Sequence, residues 1–82
     1  MTHKEFRKVR VEAEIPQFDV SIRSNIDRSR ISLYECGHVS LRNEEVTALE
    51  HALRELIGER ANRLVAALST FGEQSLLAMS AT

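Results

Sequence analysis

The residues of greatest chemical range stand together at Cys36-Gly37-His38, with two further imidazoles at His3 and His51. A Cys-x-His pair offers two metal ligands. Structural zinc takes four, usually as two spaced pairs, so a turn carrying a thiol and a solvated His accounts for the tripeptide as well. A Cys–His nucleophile pair drawn from Cys36 and His38 or His51 needs a neighbouring charge or a helix N-terminus to stabilise the thiolate. Cys36 precedes a helical stretch, but no oxyanion hole or substrate pocket is legible. Glu44, Glu45, Glu50, Glu55 and Glu59 fall on or beside the polar face of that helix, where carboxylates mostly solvate. The glycines are isolated at 37, 58 and 72, so no phosphate-cradling loop is present. The expectation is a protein that is not an enzyme and uses no cofactor or metal.

The basic residues form the second set. Arg7, Lys8 and Arg10, with Arg28 and Arg30 further on, are the candidate nucleic-acid contacts if they share a face. Glu5, Glu12, Glu14 and Asp27 interleave with them and oppose phosphate binding, and exposed aromatics for base stacking are limited to Phe6 and Tyr34. Net charge is −1; residues 1–42 carry eight Lys/Arg against six Asp/Glu, and residues 43–82 three against six. That asymmetry falls short of the basic face expected of phosphate-dominated binding.

The elements that must position these groups follow from hydrophobic period. From Lys8 to Ile15, Val9, Val11, Ala13 and Ile15 alternate with charged residues, which predicts a strand over about 8–15. After Pro16 the apolar parity shifts to Phe18, Val20 and Ile22, predicting a second strand over about 17–23. Ser24-Asn25-Ile26-Asp27 supplies turn formers, and Ile31 and Leu33 predict a third strand over about 30–35. Beyond Leu41 the spacing becomes helical: Val46, Leu49, Leu53, Leu56, Ile57, Ala61, Leu64, Leu68 and Phe71 form one stripe. This predicts a helix over about 43–71 with Glu44 and Glu45 in its first turn. Gly58 is the place for a bend or break, Gly72 the terminator, and 72–82 a docking or disordered tail. The expected fold is α+β, a small three-stranded antiparallel sheet followed by one long amphipathic helix (βββα), in a single domain. A ribbon-helix-helix arrangement fits poorly, because the stripe runs through Gly58 in phase.

An 82-residue chain buries only roughly 60% of its unfolded surface, and a single cysteine allows no intrachain disulfide. The beginning of the sequence is charged and no apolar run reaches bilayer length, so a cytoplasmic protein that neither crosses nor binds a membrane is expected. The predicted helix, about 42 Å long, outruns strands of about 20 Å, leaving its far half in need of cover. Leu53, Leu56, Ile57, Leu64, Leu68 and Phe71 are therefore the expected interface of a homodimer or of a helix-in-groove contact with a protein partner. The succession across Ile31–Leu56 is similar in outline to small accessory proteins of bacteria and their phages, a likeness that implies no activity. The expected function is protein binding by surface occlusion, as an adaptor, inhibitor or phage-type modulator. The alternative is a nucleic-acid-binding regulator using the basic strands around Arg7–Arg10 and Arg28–Arg30.

Overall fold

The computed structural model describes residues 1–80, with side chains described through Glu73. Four helices follow in order: α1 (His3–Glu12), α2 (Gln17–Ser24), α3 (Arg28–Glu35) and α4 (Asn43–Ser80). No strand occurs among the described residues. The α+β expectation is thus overturned: the predicted second and third strands lie within α2 and α3, and the first covers the end of α1 and the turn after it.

The physical reasons differ by segment. In α1 the alternation of Val9, Val11, Ala13 and Ile15 is incidental. The inward side reads Phe6, Val9 and Ala13, at three- and four-residue steps, while Val11 is 55% exposed. The Thr2 side chain accepts from the Glu5 backbone N–H, and the Glu5 carboxylate accepts from Thr2 N, a capping box that starts the helix. Glu14 takes the left-handed conformation (φ 58°), and Ile15 N–H returns to the Arg10 carbonyl at 3.0 Å to close the helix end. In α2, with Pro16 at its N-cap, Val20 is buried while Phe18 and Ile22 lie outside; a strand would have set all three on one side. In α3, capped by Asp27, the inward residues are Ile31, Tyr34 and Glu35, and Leu33 points outward.

Gly37 ends α3 in the left-handed region (φ 77°). A Cβ there would stand 3.0 Å from His3 Cε1 and require the His3 ring to shift, but it is the backbone conformation that calls for glycine. α4 begins at Asn43, where the Glu45 carboxylate accepts from the Arg42 backbone N–H at 3.1 Å. It continues through Gly58 and also through Gly72, which therefore does not terminate it. The docking role expected of the 72–82 tail falls on side chains beyond Glu73, which lie outside the described residues, as Ala81 and Thr82 do altogether.

α2 packs against α3 and α4, and α1 against α3. The core gathers Phe6, Ile15, Val20, Ile26, Ile31, Tyr34, Leu49, Ala52 and Leu53. Leu56 and Ile57 pack against its edge, and every residue from Ala61 to Glu73 is exposed. The molecule measures 61 × 19 × 19 Å, and its radius of gyration of 17.7 Å exceeds the about 12 Å of a compact domain this long. The excess is the free half of α4. None of the described helices is long and apolar enough to cross a membrane.

Candidate nucleic-acid interface

The unit formed by α2, a three-residue turn and α3 is two short helices joined by Asn25-Ile26-Asp27. Each turn residue has a distinct task. Asn25 adopts the left-handed conformation (φ 60°, ψ 29°) that ends α2, a conformation Asn tolerates better than most residues. Ile26 is buried and anchors the turn in the core; its carbonyl accepts from Ser21 Oγ at 2.6 Å, and its N–H donates to Ser24 Oγ at 3.3 Å. The Asp27 side chain accepts from the Ser29 backbone N–H at 3.2 Å, capping α3.

Burial of Ile31, Tyr34 and Glu35 turns the opposite side of α3 outward. Arg28, Ser29 and Cys36 are exposed and Ser32 is half-buried, forming one helical strip. Near the start of the strip a shallow depression of about 410 Å³ is lined by Gln17, Asp27, Arg28, Ser29 and Ser32. At its far end a groove of about 630 Å³ is lined by His3, Lys4, Arg7, Lys8, Val11, Glu35 and Cys36.

A buried polar cluster holds the helices in this arrangement. Glu35, whose side chain is 1% exposed, receives Arg10 Nε at 2.7 Å and a second Arg10 guanidinium nitrogen at 2.8 Å. Gln17 Nε2 donates to the same carboxylate at 3.0 Å, and Arg10 also donates to the Ile15 carbonyl at 3.0 Å. One carboxylate therefore joins α1, the start of α2 and the end of α3. His3 Nδ1 lies 3.3 Å from the Glu35 carbonyl, and Tyr34 meets the Phe6 and His3 rings edge-on. Burial, then the charges of Glu50 and Glu35, pushes the Tyr34 hydroxyl pKa upward.

Outside this cluster, Arg30 hydrogen-bonds to Glu45 at the head of α4, which together with the Arg42 backbone N–H holds the Glu45 carboxyl at about 2. Arg23 grips Glu59 through two bonds of 2.6 and 3.0 Å, holding the Glu59 carboxyl below its ordinary range. Arg60 reaches Glu14 at 2.8 Å.

The expected nucleic-acid residues are thus separated. Arg10 is committed to Glu35, Arg30 to Glu45, and Arg7 and Lys8 lie on the outer side of α1. Arg28 is exposed and forms no ion pair among the described residues. Ser29 and Ser32 on the strip, and Gln17 beside it on α2, lie outside the contacts expected from the sequence. The signal for them was the pair of turn formers, Asn25 and Asp27, between two eight-residue segments. Of the expected interface residues, Leu53 is in the core and Leu56 and Ile57 are half-buried on it, while Leu64, Leu68 and Phe71 are exposed. Cys36 and His38 are both exposed, and no group of three or more His, Cys, Asp or Glu suited to a metal ion occurs among the described residues. Comparison with protein-family models, curated proteins and solved structures finds no match to this chain.

Proposed function

We propose that this chain is a non-enzymatic DNA-binding regulator that reads duplex DNA with the exposed strip of α3. The supporting observation is the α2–turn–α3 unit itself, two eight-residue helices joined by a three-residue turn whose second helix turns Arg28, Ser29 and Ser32 outward. A helix pair of this build suits a B-form major groove, which is wide enough to admit one α-helix. The N-terminal residues of the second helix then reach base edges while the first helix crosses the backbone. Arg28 borders the depression and suits a base-edge contact, while Gln17 on its other side is committed through Nε2 to the Glu35 carboxylate. This reading takes up the nucleic-acid-binding alternative raised by the basic residues, with its contacts placed on α3 in place of the predicted strands.

The test is selection from a randomised duplex pool at low salt, followed by anisotropy with the enriched duplex. Binding should weaken steeply as salt rises. Arg28→Ala should cost about 1–3 kcal/mol and relax the enriched sequence at one position. Absence of duplex binding at low salt, or binding without sequence enrichment, overturns the reading.

A second reading concerns the other end of the molecule. Leu64, Leu68 and Phe71, at 55%, 70% and 69% exposure, support protein binding by the free half of α4, with a homodimer as its simplest form.

A further inference from the structure

The sequence around the free half of α4 carries more than exposure. From Ile57 the apolar positions run Ala61, Leu64, Leu68 and Phe71, in alternating steps of four and three. This is the 3.5-residue period of a helix that faces another helix. The flanks are uncharged: Val65 borders the seam on one side, 62% exposed, and Ala67 on the other. Arg60, which precedes this stretch on the Ala67 side, is already turned back to Glu14. A seam with neutral, small flanks excludes few orientations by charge, so side-chain size decides how it pairs.

The sizes are graded along the seam, with the small Ala61 at one end, the large Phe71 at the other and two leucines between. Parallel pairing would set Phe71 on Phe71 in one layer and leave Ala61 facing Ala61 in another, overfilled and underfilled in turn. Antiparallel pairing about a two-fold axis between Leu64 and Leu68 sets each Phe71 over the partner's Ala61 and each Leu64 over the partner's Leu68. Large then meets small, and every layer has a similar volume. Leu64, Val65, Leu68 and Phe71 at about 100 Å² each would cover about 400 Å² per chain. With the Ala61, Ala67 and backbone flanks, the pair approaches the about 1,000 Å² lower limit of a specific interface, which marks the association as weak and concentration-dependent.

We infer that the free half of α4 binds a second copy of this chain in antiparallel order, Phe71 against the partner's Ala61, which sets the two α2–α3 units at opposite ends of the assembly. The inference rests on reading this surface as protein-binding and is independent of the DNA reading.

The test uses the full chain with Cys36→Ser, which removes the one native thiol. Light scattering should give twice the chain mass, and Leu68→Asp should return it to a single chain while the Tyr34 near-ultraviolet signal of the core is retained. Under glutathione disulfide, a mixture of Ala61→Cys and Phe71→Cys chains should form the mixed disulfide. Ala61→Cys alone should not cross-link, because antiparallel order separates the two copies of residue 61 by about 15 Å along the axis, beyond disulfide reach. A single-chain mass for the parent protein overturns the inference and leaves the protein-binding reading to a partner other than this chain. A dimer in which Ala61→Cys links to itself overturns the antiparallel order alone, and a dimer that survives Leu68→Asp overturns the surface.

Discussion

The two ends of this molecule are built on opposite terms. Up to Ile57, three short helices and the first part of α4 share one core and one buried carboxylate, and each helix is held by its neighbours. From Ala61 to Glu73, α4 has no neighbour among the described residues and every residue is exposed. Short helices of eight to ten residues are marginal by themselves, so the first region exists only as a set. The second is one continuous rod whose local hydrogen bonds suffice to describe it. Damage at one position should therefore spread through the whole first region and stay local in the second.

The largest effect expected from this contrast is at Arg10. Arg10→Met leaves the Glu35 carboxylate buried with Gln17 as its remaining side-chain partner. Stranding a buried charge in this way costs about 3–5 kcal/mol, a large share of the stability of so small a domain. Urea denaturation followed by circular dichroism should show the midpoint collapsing. An unchanged midpoint would mean that the cluster does not hold α1, α2 and α3 together. A matched pair of truncations comes next in size. Leu49→Ala, at a fully buried position, should cost about 2–5 kcal/mol. Leu68→Ala, at dilutions where chains are single, should stay within about 0.5 kcal/mol. Comparable losses at the two positions would erase the distinction between the regions.

The same contrast explains how much could be read from the sequence. Over residues 43–71 the apolar stripe was long enough for a helical period to be unmistakable, and α4 occupies that stretch. Each of the other helices offers two turns or so, a span in which two or three apolar residues fit period two as readily as 3.6. Val9, Val11, Ala13 and Ile15 alternate by accident, and only burial reveals that Phe6 is the anchor and Val11 faces water. Polar caps carried the better information: Thr2 with Glu5 at the start of α1, and Asp27 before α3. Phe18, Val20 and Ile22 match a strand only if all three point inward, which fails here because Phe18 and Ile22 are exposed, as surface apolar residues ordinarily are. The buried Arg10–Glu35 pair was out of reach, since 25 residues separate two charges that any reading of local pattern assigns to solvent. The candidate site suffered accordingly. Arg28 was identified, but its companions Gln17, Ser29 and Ser32 depend on a turn whose type only the backbone at Asn25 discloses.

Gly58 marks the boundary between the two regions, and an effect smaller than those at Arg10 and Leu49 is expected there. Ile57 is the last residue of α4 packed against the core, and a Cβ at residue 58 would meet no atom within 4 Å. An alanine can therefore change only the helix itself. Removing a mid-helix glycine favours the helical backbone by about 0.5–1 kcal/mol. Beyond the Arg23–Glu59 and Arg60–Glu14 pairs, no described residue past 58 in a single chain adds tertiary support, so the gain should appear as slower opening of the rod. In Gly58→Ala, hydrogen exchange at amides just past the substitution should slow by about two- to five-fold, with amides of α1 to α3 unchanged. Equal slowing throughout would show that the core and the rod open as one cooperative unit, and the boundary at Gly58 would then be one of packing alone.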